Sequence, residues 1–422
     1  MARRLTIAYY CWSSPTHAQI PLNPTQYHVV VCSYLERHEP ELWKWGASAK
    51  QDDIAQVRLH LLKTTYELSY EAHPELHAAA ARAAQGLGIA PQVSLYQSND
   101  GGGANVAVYT APDEAHIIFQ GPVLGMLVGA ELDAVLGHEL AHYLLWRRDA
   151  GRLWIGSRIV DRLAHEEGGD GVWTHTAQRF QQYTEIYDDR GAYAVCADIA
   201  PCIAGLVKTQ TGTPDVHVES YLKQADKVLA HAGVINEGTS HPQTFIRAKA
   251  LALHAMNAPE LEATLTSLLV GPADLDKLDI LGQHELHALT RSIIARLLAP
   301  AWFGSDSVLA LARRYFSGYV HGEAPQARHI GPQGAVVLPA GHRLAHFLSF
   351  VLLDFALADP LMEELPVAAA LRLAQELDIA DDFDAALLKE TKMKKPALAK
   401  LKATRDELLK HADTTAAAPA TN

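Results

Sequence analysis

Cysteine is scarce in this chain. Four residues, Cys11, Cys32, Cys196 and Cys202, are spread over 422 positions, too few and too scattered to frame a disulfide-held fold. A reducing, cytoplasmic compartment is therefore expected. An excess of positive charge is missing too. With 36 Lys and Arg against 48 Asp and Glu, the formal charge is -12, which argues against a surface that tracks a phosphate backbone, so no nucleic-acid partner is expected. The one basic run, Lys389 to Lys402, is interrupted by Pro396 and reads as a solvated helix face. Long apolar runs are absent as well. The longest, Ile117 to Ala130 and Phe347 to Ala358, contain Gln120 and Asp354 and fall short of the roughly 18–20 residues a span requires. The opening MARRLTIAYYCWSSP has an apolar run shorter than that of a secretory signal. Neither an integral membrane segment nor a cleaved leader is expected.

What is present is ordinary globular material, 49% hydrophobic and 20% charged, in a chain long enough for two or three units. LTIAYY and YHVVVCSYL near the start look β-like, and helical patterning runs from Asp52 to Gln85 before the stop GLGIAP. From Pro91 the texture changes. VSLYQ, ANVAVYT and AHIIFQG, separated by turn residues, predict a small antiparallel sheet. Ala130 to Trp146 then places Leu132, Val135, Leu136, Leu140, Leu144 and Leu145 at a helical period and predicts a buried helix. A second long helical pattern covers Thr174 to Val207, and a third covers Pro242 to Met256. Beyond Pro259 the pattern is helical, with a Gly/Pro-rich break from Gly318 to Gly341 that reads as a linker.

Within the first of these helices stands His138-Glu139-Leu140-Ala141-His142. Histidines at i and i+4 lie on one helix face, where their ring nitrogens can converge on one ion, and Glu139 beside them suits a general base acting on water. The motif alone recurs by chance, and catalysis by zinc needs a third protein ligand. Leu145 and Arg148 occupy the positions where a metzincin has Gly and His, which excludes that class. The second helix offers Glu185 as the third ligand, with Asp189 one turn on to accept the ring N–H of a ligand histidine.

These residues resemble the HtpX and CAAX-prenyl-protease family of zinc metallopeptidases. AELDAVLGHELAH is similar to the family's metal helix, EIYDDRGA to its third-ligand helix, and HPQTFIR, with His241, Pro242 and Arg247, to its downstream His-Pro-x4-Arg signature. The resemblance covers about residues 90 to 255. It implies a minigluzincin-like core, one Zn2+ per chain held by His138, His142 and Glu185, and a His241 near the metal that stabilises an oxyanion. Arg247 would hold the His241 segment by pairing with an acid. Many members carry transmembrane helices and this chain has no candidate, so the soluble branch is implied. FVLLDFALADPLMEELPVAAALRLAQELDIADDF resembles a TerB-like (tellurite-resistance) helical domain over about residues 340 to 392.

Weaker candidates compete for the metal. His165 and His175 are rival third ligands, His284 with His287 and His342 with His346 are less suitable pairs, Cys11 could cap the zinc, and Cys196 reads as a small buried residue. The expectation is therefore an α+β, mostly helical protein. Residues 1–90 would form an N-terminal region, 91–258 the metallopeptidase core with its small sheet, 259–335 a helical extension and linker, 336–412 an all-α domain and 413–422 a disordered tail. The expected function is zinc-dependent endopeptidase cleavage of peptide or protein substrates. The alternative is a non-catalytic, regulatory zinc-binding interaction protein.

Overall fold

A computed structural model of the chain describes residues 22–48, 54–98, 103–166, 171–231, 233–238, 240–271, 274–325 and 342–417. LTIAYY and Cys11 lie outside them. The chain divides into two compact units, residues 1–163 with 177–270, and residues 164–176 with 271–422. The architecture is mostly helical with one four-stranded sheet, and no helix among the described residues is long and apolar enough to cross a membrane.

The first unit begins with α1 (Gln26–His38), α2 (Pro40–Ser48) and α3 (Ile54–Thr64). The β-like YHVVVCSYL is thus helical. Its buried residues His28, Val31, Cys32 and Leu35 follow a helical period, and that burial overrides the strand preference of consecutive valines. His28 is fully buried. Its ring contacts Thr25 Oγ1 at 2.9 Å, the Phe180 carbonyl at 3.2 Å and Thr184 Oγ1 at 3.1 Å.

Next come β1 (Tyr66–Glu67), α4 (Pro74–Leu87), β2 (Gln92–Ser98), β3 (Asn105–Ala111) and β4 (Glu114–Gln120). α4 stops at Gly88, whose left-handed φ of 69° closes the helix. The strand order is β1-β2-β4-β3. The sheet is mixed rather than antiparallel as expected, because β2 runs parallel to β4 while β3 folds back on β4 as a hairpin. β4 is the most apolar strand, with Ala115, Ile117 and Phe119 fully buried, which suits a central position. β3 is left at an edge. α4 packs its alanines into the same core as Leu95, Ile117, Leu136 and Leu140, so the region before residue 90 shares the core of the sheet and is not a separate unit.

The unit continues with α5 (Ala130–Arg147), α6 (Arg152–Ala164), α7 (Gly171–Cys196, in this unit from Ala177 on), α8 (Ile199–Thr211), α9 (Val218–Leu229), α10 (Thr244–Ala255) and α11 (Leu261–Leu269). The long pattern from Thr174 to Val207 is two helices. Ala197 takes a positive φ of 56°, and the Asp198 side chain caps α8 by accepting from the Ala200 N–H at 2.9 Å. α5 and α7 cross with almost nothing between them. A β-carbon on Gly191 would overlap that of Ala141 outright, and one on Gly137 would come within 2.9 Å of Val195 Cγ2 and 3.2 Å of Ala192 Cα.

The second unit holds α12 (Ile280–Leu297), α13 (Asp306–Tyr315), α14 (His342–Ala356), α15 (Leu365–Glu376), α16 (Ala380–Thr391) and α17 (Lys395–Ala417). One apolar cluster runs from Leu289 through Phe316 and Tyr319 to Leu344, Phe383 and Leu409. The expected boundary at 335/336 falls within this core, because helices on both sides of the Gly/Pro-rich segment share it, and the one at 258/259 falls within the first unit, because α11 packs Leu265, Leu268 and Leu269 against Tyr183 and Ile246. That segment is packed as far as it is described. Tyr319 is buried, and Glu323 accepts a fork from Arg291 at 2.6 and 2.8 Å; residues 326–341 lie outside the described residues. α17 runs to Ala417, past the expected start of the tail at 413, and residues 418–422 are not described.

Two measurements test this packing. Burial lowers the His28 pKa from 6.5 to about 4. Because the folded value is the lower one, the unfolded chain binds more protons between these limits, and stability falls as pH drops through them. Taking the pH from 7 to 5 should cost about 2 kcal/mol through this group. In urea unfolding, His28→Gln should shrink the stability difference between the two pH values by about that amount; an unchanged difference would show that His28 is not held neutral. Gly191→Ala gains about 1 kcal/mol of helix preference but overpacks the crossing, and should destabilise by roughly 1–3 kcal/mol net. Adding Ala141→Gly should recover part of that loss. A neutral or stabilising Gly191→Ala would mean that the helices do not need this contact.

Candidate metal centre

The crossing of α5 and α7 sets the reach of the side chains on their facing surfaces. One turn of α5 carries His138, Glu139 and His142, whose two imidazoles stand edge to face with centroids 5.4 Å apart. Facing them on α7 are Glu185, Asp188 and Asp189. His138 Nε2 lies 3.6 Å from Glu185 Oε2, and its Nδ1 lies 3.2 Å from Asp189 Oδ1. His142 turns its Nδ1 toward Asp188, 3.1 Å from Oδ2. Donor atoms of His138, His142, Glu185 and Asp188 all lie within 4.8 Å of one another, a buried group able to hold a metal ion. Among the described residues this is the only such cluster, so neither His165, His175, His284, His287 nor His346 belongs to a rival one.

α10 completes the site. It packs Ile246 and Ala248 into the apolar clusters around α7, which delivers Arg247 to the acids on that helix. Arg247 donates to Asp189 through Nε at 2.8 Å and Nη2 at 2.7 Å, and its Nη1 lies 3.2 Å from Glu185 Oε2. The acid that Arg247 was expected to pair with is thus Asp189, which also faces His138. The segment before α10 is fixed by Asn236 Oδ1, which accepts from the Gly238 and Gln243 N–H groups, and by Gln182 of α7, which donates to the Gly238 carbonyl at 2.8 Å. This places His241 at the rim. Its side chain is 59% exposed, with Nε2 3.3 Å from Glu185 Oε1 and Nδ1 2.9 Å from Ser240 Oγ.

The electrostatics follow from burial and neighbours. Burial pushes the Glu139 carboxyl up to about 7 and the His142 imidazole down to about 4. It would raise Glu185 and Asp189 also, but Arg247, helped by the nearby histidines, outweighs it and holds both below the usual carboxylate range. Asp188 has no such relief. Burial and the nearby carboxylates Glu185, Glu139 and Asp189 raise it well above its ordinary value, and neither of its oxygens has a hydrogen-bond partner.

These residues fit a divalent cation. Four buried carboxyl groups, Glu139, Glu185, Asp188 and Asp189, face a single guanidinium, and an uncompensated buried charge is costly. Two imidazoles with a carboxylate opposite and acids behind their far nitrogens form the donor set that such an ion selects. Asp188 went unassigned from sequence, although its place three residues after Glu185 on a helix puts it beside the same face. Cys196 is half-buried and directs its thiol to the Ala130 carbonyl, away from the donor group.

His138, Glu139, His142, Glu185 and Asp189, though not Asp188, line a cleft of about 540 Å³. One wall is β3, through Asn105 to Val108 and Thr110; another is α8, through Cys202, Leu206 and Thr209. No protein-family model matches the chain, and neither a curated protein nor a solved structure matches it.

Proposed function

We propose that this protein is a zinc-dependent metalloendopeptidase with a minigluzincin-like core, of the kind the HtpX and CAAX-prenyl-protease resemblance implies, and that it hydrolyses peptide bonds in extended segments of protein substrates. The observation that carries the reading is the position of Glu139: a buried carboxyl with a pKa near neutrality, set beside the donor group at the floor of a cleft walled by an edge strand. His138, His142 and Glu185 would hold the zinc, which when bound supplies Lewis acidity toward the scissile carbonyl and lowers the pKa of the attacking water.

The chain's own groups do the rest. Glu139 takes the proton from the nucleophilic water and carries it to the leaving amine, a task suited to a group whose pKa lies near the working pH. His241, exposed at the rim and within reach of Glu185, donates to the oxygen that becomes negative in the transition state. Asp189, fastened by Arg247, keeps His138 oriented. Among the described residues β3 pairs only with β4, so its other edge can bind a peptide by strand addition, which recognises backbone more than side chains and gives broad specificity.

Metal content and cleavage of casein or a quenched peptide decide between this reading and a zinc-binding interaction protein. The purified chain should carry about one zinc, as a site with three protein donors and an open position requires. Glu185→Ala should lose it, whereas Glu139→Gln should keep metal and fold yet lose roughly 100-fold to 10,000-fold in kcat. Full-rate hydrolysis by Glu139→Gln would end the assignment of the base. A wild-type chain that binds zinc but cleaves nothing would favour the interaction protein.

A further inference from the structure

α7 presents two adjacent acids to α5, and only one of them has an evident partner. Asp189 is held by Arg247 and faces His138. Asp188 is 0% exposed, has no hydrogen bond to either oxygen, and has His142 Nδ1 as its near contact, 3.1 Å away but not aligned as a hydrogen bond. A buried carboxyl group with neither oxygen hydrogen-bonded is costly for a fold to carry. Three and four residues after Glu185, the two acids flank one face of α7, just as His138 and His142 stand one turn apart on α5. Each acid therefore meets the Nδ1 edge of a different histidine.

We propose that Asp188 is a positioning residue for His142: its carboxylate accepts the Nδ1 proton, selects that tautomer, and turns Nε2 toward the ion. The inference rests on the metal reading above. A neutral imidazole carries its proton on either nitrogen, and only the Nδ1–H form leaves Nε2 free to ligate. Asp188 is close enough to the other donors to ligate, but its contact is with the Nδ1 of His142, and in this assignment it acts through that ring, leaving Nε2 to the ion. A small rotation of the ring on loading would bring the 3.1 Å contact into line.

The test compares full-length wild type, Asp188→Asn and Asp188→Ala. Zinc affinity is read by competition with a chromogenic chelator, donor number from the visible spectrum of the Co2+-loaded chain, and stability by thermal melting of the chelator-treated chain. Asp188→Ala should weaken zinc binding by about 10-fold to 100-fold, and Asp188→Asn by less, because its amide oxygen still accepts the Nδ1 proton. The Co2+ band envelope should persist in both. Both metal-free variants should keep a cooperative thermal transition, so that a loss of zinc affinity reports on the site and not on the fold. Wild-type zinc affinity in both variants would overturn the proposal, and a Co2+ spectrum that loses a donor would overturn it by making Asp188 a ligand. A wild-type chain that takes up no zinc would overturn the metal reading itself, a failure distinct from variants that bind as wild type does.

Discussion

The site depends on how closely α5 approaches α7. Carboxylate side chains are short, and Glu185, Asp188 and Asp189 meet the histidines of α5 only because Gly137, Ala141 and Gly191 leave no bulk where the helices cross. Each glycine inside a helix costs about 1 kcal/mol relative to alanine. That cost is accepted on both helices at the level of the candidate metal donors. Were the helices a side chain further apart, the contacts at 3.1 to 3.6 Å would open together, because one rigid crossing sets all of them.

Closeness creates the opposite difficulty, a concentration of like charge. Four buried carboxyl groups share a small volume with one guanidinium, and the responses differ according to what each one faces. Asp189 and Glu185 are held ionised by Arg247, whereas Glu139 and Asp188 are raised by burial. Environments that push neighbouring acids in opposite directions separate their roles. Under the proposed function the low pair would orient and ligate, and Glu139 would exchange a proton. Arg247 is thus an electrostatic anchor as much as a mechanical one: without it the acids on α7 would lose their main compensation in this cluster.

The sequence carried more of the site than of the fold around it. A helix expected at Ala130 to Trp146 is observed at Ala130–Arg147, because its apolar period and buried environment agree. His138, Glu139, His142, Glu185, Asp189, His241 and Arg247 do lie together, since i, i+1 and i+4 spacings on regular helices translate directly into shared faces. Non-local choices were less legible. The valine-rich start of α1 became helix because its burial period suits one, β2 chose a parallel place beside β4, and Ala197 broke a pattern that looked continuous. The Gly/Pro-rich segment after Gly318 suggested a linker, yet Tyr319 and Glu323 tie its first residues to α12, and composition alone could not show that helices on both sides of it share one core. Asp188 was visible in the sequence but had no partner there. Its meaning comes from the His142 ring opposite, which only the crossing supplies.

An edge strand beside a metal cluster raises one last question, since an open strand edge invites pairing with any extended chain. Here Asn105 to Val108 and Thr110 of β3 line a cleft together with residues of α5 and α8. A single extended segment needs only the width of one strand, about 4.8 Å. Under the proposed function a peptide lying along β3 would bring its backbone carbonyls past Glu139 and His241, which line the same cleft. Specificity would then reside in the accessibility and extension of the substrate chain more than in its side chains, which follows from a recognition wall made largely of backbone.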